Sequence, residues 1–256
     1  MSAVGESSVV NIRALWLSAL VLSCLDAPAQ ARELELYLID APPLTFVEDP
    51  QGHGLVGDVA IAAIERAGYQ AKLSVLPWAR AQRYVSLGSD LLIIPLSRIP
   101  EREDQYTWIA PILTMDRAFF SLEHKVDTFD EAKRRFRKIG VGLGSAQEAT
   151  LLSEGFPPSQ IYSMKIGENP PHMLDLGRID AWFNGVPESL YIWKNTGIPR
   201  RLQMGKAVTS SDLYVACSKK CDPELVRQLR EAMEAIQADG TAQRLQDAYQ
   251  LQLPKH

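Results

Sequence analysis

Apolar and polar residues alternate with a period of two in Glu33-Leu34-Glu35-Leu36-Tyr37-Leu38, which predicts a strand closed by Pro42-Pro43. From Gly57-Asp58 the period changes. Val59, Ala60, Ala63, Ile64 and Ala67 fall on one helical face, with a stop at Gly68. Leu73–Pro77 reads as a second strand. The unbroken run Leu91-Leu92-Ile93-Ile94 predicts a strand covered on both faces. This opening is a βαβ-αβ pattern, the mark of a parallel sheet.

A second unit follows. Lys138–Leu143 is a strand entering a glycine-bearing turn, and a helix runs from Ser145 to about Leu152. Ile161–Met164 is a short strand, Met173–Gly177 ends a helix, and Ile179–Phe183 is another strand. The chain returns through Leu213-Tyr214-Val215-Ala216. Its clearest helix comes next: Asp222 caps it, Pro223 suits its first turn, and Leu225, Leu229, Met233 and Ile236 mark its buried face before Gly240. Thr241 opens a last short helix to about Tyr249. The expected fold class is α/β, with two lobes joined by a two-segment hinge near Ile112–Asp116 and Ser210–Tyr214. Residues 32–114 would build the first lobe, 115–211 the second, and 212–256 the C-terminal return to the first. A cleft between such lobes is a natural ligand site.

The first 31 residues read as targeting. Arg13 precedes the apolar run Ala14–Leu25, too short to span a bilayer comfortably, and Ala27-x-Ala29 and Ala29-x-Ala31 fit a signal-peptidase site. The expectation is a secreted, periplasmic protein. Val21-Leu22-Ser23-Cys24 is a loose lipobox and keeps an anchored form as the alternative. Export leaves Cys217 and Cys221 as a pair in an oxidising compartment, where a disulfide and two free thiols are both open readings. Three cysteines and four histidines give little material for a metal site, and no cofactor is expected. A formal charge of -4 with no basic run argues against nucleic acid as a partner.

Several segments, taken in order, carry a resemblance. They are Leu76-Pro77-Trp78-Ala79-Arg80-Ala81-Gln82, Ser97-Arg98-Ile99-Pro100-Glu101-Arg102, and Tyr106-Thr107-Trp108-Ile109-Ala110-Pro111-Ile112. Val141-Gly142-Leu143-Gly144-Ser145, Leu176-Gly177-Arg178-Ile179-Asp180-Ala181 and Ala238-Asp239-Gly240-Thr241 follow. Their order resembles the periplasmic solute-binding proteins of family 3, which serve polar amino-acid uptake. The resemblance covers nearly all of the mature chain and implies a type II periplasmic-binding-protein-like fold. It also implies a small-molecule solute, the membrane permease of an ABC transporter as partner, and a monomer.

The same resemblance implies site residues. Arg102 takes the place that grips the ligand carboxylate, for which a guanidinium is a planar fork; read alone, it is a surface cation between Glu101 and Glu103. Ser97 contacts the ligand or caps its turn. Ser145 opens a helix whose free N–H groups favour an anion. Ala146 stands where the family often has a hydroxyl, and Gln147 where a dinucleotide glycine would fall. Glu168, with Asn169 as the register-shifted alternative, holds the ligand ammonium or is a solvated loop acid. Read from the residues alone, Trp78 and Arg80 follow a proline after a strand and fall on a loop, where they supply an aromatic face and a second anion contact, or packing and an ion pair. Trp182 and Phe183 read as core. Ala41 stands where the family has a stacking aromatic, so Trp78 or Phe46 would take over that role.

Two other classes stay in view. A dehydratase-like enzyme on the same fold needs a placed acid or base, and Glu168 is the acid the sequence offers. A sensor subunit would pass closure to a signalling partner. The leading reading is a receptor without catalytic residues.

Overall fold

The computed structural model describes residues 1–2, 31–165 and 168–250. The chain divides into two compact units, Met1–Gln30 and Ala31–His256, and the architecture here is that of the second. The expected signal segment, with Arg13, Cys24 and Ala27, lies outside the described residues.

The first half runs β1 (Glu33–Leu38), α1 (Gly54–Arg66), β2 (Gln70–Val75), α2 (Trp78–Leu87) and β3 (Leu92–Ser97). A long strand, β4 (Tyr106–Ser121), leads into α3 (Phe129–Arg135), β5 (Ile139–Gly142), α4 (Ala146–Ser153) and β6 (Ile161–Met164). Then come α5 (Pro170–Asp175), β7 (Ala181–Gly185), α6 (Val186–Lys194), β8 (Gln203–Met204), β9 (Thr209–Ser218), α7 (Pro223–Ala238) and α8 (Thr241–Gln250). Strands follow the order β2-β1-β3-β9-β4-β7-β5-β6, with β8 on β4. The β2-β1-β3 and β7-β5-β6 groups are parallel, and β9 and β4 join them with antiparallel pairing.

Each half has its own two-sided core. In the first, Leu36 and Ile94 pack with Val59 and Ile64 of α1 and Leu229 and Met233 of α7. On the opposite face Ile93 and Leu96 pack with Trp78, Ala81 and Val85 of α2. Neighbours Ile93 and Ile94 face opposite ways, which is why this run is apolar without alternation. In the second half, Phe119, Val141 and Phe183 meet Ala132 and Leu151, while Phe120 and Trp182 meet Leu174. Burying each such aromatic or aliphatic side chain contributes about 1.5–3 kcal/mol. This is the mixed α/β, two-lobed, type II periplasmic-binding-protein-like fold.

The two segments expected at the lobe boundary lie side by side, with Thr114 opposite Asp212 and Asp116 opposite Ser210 in the β4–β9 ladder. Arg117 ends that ladder opposite Thr209 and also faces Gly185 of β7.

Some local expectations are corrected. Trp78 and Arg80 are not on a loop: they form the first turn of α2, whose buried Trp78, Ala81 and Val85 recur at helical spacing. α1 begins at Gly54, three residues before the expected start. The strand expected at Ile179–Phe183 is shifted to Ala181–Gly185. α3 is capped by Thr128, whose Oγ1 accepts from Glu131 N at 3.1 Å, and Glu131 Oε2 reaches back to accept from Asp127 N, just before the cap, at 3.2 Å. The C-terminal helices match their sequence signals, with Asp222 Oδ1 accepting from Glu224 N at 2.8 Å. Cys217 and Cys221 form a disulfide with a Cα–Cα distance of 6.0 Å. Asp90 lies beside this pair, but bonded sulfurs leave no thiolate for a metal. Among the described residues, no helix is long and apolar enough to cross a membrane.

Candidate functional site

A cleft of about 530 Å³ opens between the lobes. Its lining includes Ser97, Arg102, Ser145, Glu168 and Trp78, which the sequence had singled out. Arg80 is exposed on α2 and is not among the lining residues. Ala41 lines the cleft as well, while Phe46 does not; it packs on Tyr191 and Tyr249 instead.

The floor is built around Ser97, at the end of β3 and 7% exposed. Its main-chain oxygen accepts from Arg102 Nη1 at 3.2 Å, and its hydroxyl accepts from Arg117 Nη2 at 2.8 Å. One serine thus links two buried guanidiniums. Arg102 is not a surface cation paired with Glu101 or Glu103. It is 7% exposed, and its Nη2 donates across the cleft to the Gly144 oxygen at 3.0 Å. Glu103 pairs with Arg98 instead. Burial lowers the Arg102 pKa to about 10, and the nearby Arg117 charge adds to the fall.

Arg117 is buried more deeply, at 2% exposure. Its Nη1 donates to Met115 O at 3.3 Å and to Ser211 Oγ at 2.8 Å. Its Nε is buried and makes no hydrogen bond. Burial lowers the Arg117 pKa, while the charges of Glu188 and Asp116 oppose the fall. Glu188 lines the cleft from the first turn of α6. Its carboxyl makes no hydrogen bond or ion pair among the described residues. Burial pushes its pKa up to about 7, with Arg117 pulling the other way.

At the turn before α4 the chain satisfies two of its own N–H groups. Ser145 Oγ accepts from Glu148 N at 3.2 Å, and Glu148 Oε2 accepts from Gly144 N at 2.6 Å. The chain's own carboxylate thus occupies the Gly144 N–H. Glu168 is exposed at the cleft edge. Asn169 caps α5, accepting from His172 N at 3.2 Å. Gln147 and Asn184, both lining residues, are joined at 2.8 Å.

Sequence reasoning missed Arg117, Glu188 and Asn184, and it assigned Trp182 to the core alone. Trp182 is buried and also lines the cleft, as does Asn184 two residues on. Strand alternation turns Phe183 to the other face. Arg117 had a signal: a lone cation beside Ala118-Phe119-Phe120 in a strand buried on both sides.

The profile of the bacterial extracellular solute-binding proteins, family 3, matches residues 37–252. No relative is found among curated proteins. Among solved structures, an ancestral arginine-binding protein bound to glutamine is 20% identical, with a TM-score of 0.71 over 85% of this chain and 97% of that one. The amino-acid ABC transporter substrate-binding protein AbpA of Streptococcus pneumoniae, bound to L-arginine, is 18% identical, with a TM-score of 0.71 over 87% and 97%. An ABC uptake substrate-binding protein from the same organism with bound histidine is 17% identical, with a TM-score of 0.72 over 85% and 92%.

Proposed function

The chain belongs to family 3 of the bacterial extracellular solute-binding proteins, and on that footing we propose that it captures a small polar solute in the interlobe cleft and delivers it to the permease of an ABC transporter. The solute carries a carboxylate, an amino acid in the first instance. One observation carries this reading: Arg102 and Arg117, both buried, converge on Ser97 at the cleft floor. Two desolvated guanidiniums favour an anion between or beside them, and a charge-assisted bond there contributes about 1.5–3 kcal/mol. The cleft is within the size range of small-molecule sites, and Trp78 and Trp182 give it apolar walls. The glutamine, arginine and histidine held by the similar structures point to the same solute class.

Closure would hinge where β4 and β9 cross between the lobes, with Ser97, Ser145, Glu168 and Trp78 completing the solute's surroundings. The solute drives closure only as far as it binds the closed form better than the open one. The disulfide suits export through the N-terminal signal, because such bonds persist outside the cytoplasm. The test is thermal unfolding of the mature protein with amino acids, small dicarboxylates and polyamines. A solute at a hundred times its dissociation constant adds about 2.7 kcal/mol of stability. A response to amino acids is expected; silence from every carboxylate would reject the proposal.

A further inference from the structure

We propose that the outer face of α2, extended by Leu143 of the second lobe, is the surface on which the permease docks, and that the docking segment presents carboxylates beside apolar side chains. The inference rests on the reading of the chain as an ABC transporter's receptor, and it names a surface which that reading leaves open.

α2 has three sides. Trp78, Ala81 and Val85 face the core. Ala79 and Gln82 face the second lobe: Gln82 Nε2 donates to Gly144 O at 2.9 Å, and a Cβ on Gly144 would lie 3.4 Å from Ala79 Cβ. The third side holds Arg80, Arg83, Tyr84 and Leu87, at i, i+3, i+4 and i+7, and all four are exposed. Neither arginine side chain makes a hydrogen bond or ion pair among the described residues, and α2 contains no acid. Tyr84 and Leu87 are 54% and 73% exposed. The Tyr84 ring rests on Tyr37, with 5.5 Å between centroids, so this side is ordered before a partner arrives. Tyrosine and arginine are enriched at protein interfaces, and apolar side chains grouped on open surface mark one.

Charge selects the partner's chemistry. Two unpaired guanidiniums suit carboxylates, each offering a planar fork. Arg80 thus keeps an anionic contact, but with a partner's side chain and not with the solute. Position links the face to closure. Leu143, 46% exposed, directly precedes Gly144 and carries the patch onto the second lobe. The lobes meet here through side-chain bonds from Gln82 and Arg102 to a single carbonyl, Gly144 O. Opening the hinge breaks both bonds and takes Leu143 away from α2. The complete patch therefore belongs to the closed form, the form that bound solute favours. Trp78, in the first turn of the same helix, lines the cleft, so α2 joins the solute's surroundings to the docking surface.

The experiment measures uptake and binding side by side. Cells of the native host carry wild type or a variant as the only copy, and uptake of labelled L-arginine, L-histidine and L-glutamine is followed. Calorimetry gives the affinity of each purified mature protein for the same three. The variants are Arg80→Glu with Arg83→Glu, the same pair changed to Lys, Tyr84→Ser with Leu87→Ser, and Leu143→Ser. Leu176→Ser, exposed and remote from α2, is the control. None of these residues lines the cleft. The Glu pair and the Tyr84–Leu87 pair should each lower uptake by about tenfold or more while affinity stays within about twofold. Retained affinity also shows that each variant is folded. The Lys pair should keep most of the uptake, because it keeps the charge, and Leu143→Ser should fall between. Normal uptake in every variant overturns the proposal, and so does a loss of affinity that matches the loss of uptake. A wild type that sediments as a dimer, with monomeric variants, gives the face to a second copy and overturns it too. If wild type binds none of the three, or binds one without uptake, the receptor reading falls and takes the docking face with it. If binding and uptake both stand and the variants behave as wild type, the face alone is wrong.

Discussion

Arg102 Nη2 donates to the main-chain oxygen of Gly144 at 3.0 Å, a bond between the first lobe and the turn that opens α4 in the second. Gln82 Nε2 reaches the same oxygen at 2.9 Å. A carbonyl has two lone pairs, and both are used here by side chains of the other lobe. Gly144 itself has φ +70°, and a Cβ on it would be 3.4 Å from Ala79 Cβ. A side chain at this position would strain the turn and crowd α2.

Loosening this contact should widen the cleft. Gln82→Ala removes one of the two donors and should cost about 1 kcal/mol in urea unfolding. Arg102→Ala removes the other and also frees Ser97 O. Small-angle scattering of the double variant should show a larger radius of gyration than wild type. An unchanged radius would mean that the lobes are held by the β4–β9 crossing alone.

Glu188 predicts a pH dependence of stability. Burial raises its pKa in the folded protein to about 7, above the 4.5 of an ordinary glutamate. Between these values the folded state keeps a proton that the unfolded chain has lost, so this group's contribution to stability falls as pH rises. The loss is complete above about pH 7 and absent below about 4.5. Urea midpoints of wild type and Glu188→Gln at pH 5 and pH 8 isolate it. The variant should lose less stability than wild type over this interval; equal slopes would refute the shift.

Gly185→Ala tests the space around that carboxylate. The added methyl group meets Glu188 Oε2 and Met115 Sδ, both near the ends of flexible side chains. The stability cost should be near 1 kcal/mol, the low end for overpacking. Amino-acid affinity should fall by a larger factor than stability alone accounts for, because the carboxylate is displaced. Calorimetry beside thermal melting separates the two effects.

Cys221→Ala should lower stability by about 2 kcal/mol, the chain-entropy value for so short a loop. Cys217 is buried and packs in the first-lobe core, so retaining it preserves the packing. Dithiothreitol should lower the urea midpoint of wild type and leave that of the variant unchanged.

Local chemistry made much of the fold legible. β1 and α7 followed from their periods, and the cap at Asp222 from residue type, because each depends on neighbours within a turn or two. The buried run before Ser97 and the ordered segments ending in Arg102 pointed to the cleft for the same reason. The placement of Trp78 and Arg80 shows where such reasoning stops. The Pro after a strand suggested a loop, but Ala81 and Val85 find a core under them and pull the segment into a helix.

The alternation of strands and helices, the parallel βα units and the family segments in their order could all be read from the residues in line. These are short-range properties, written in periodicity and residue type. Which charges meet was settled by packing. Glu148, not a solute, occupies the Gly144 N–H; Arg80 stays outside the cleft; and Arg117 faces the same enclosure as Glu188. Arg117 and Glu188 come from β4 and α6, which meet only because β4 pairs with β7. Their chemistry depends on desolvation and on bonds left unmade, and these exist only once the strands between them are packed.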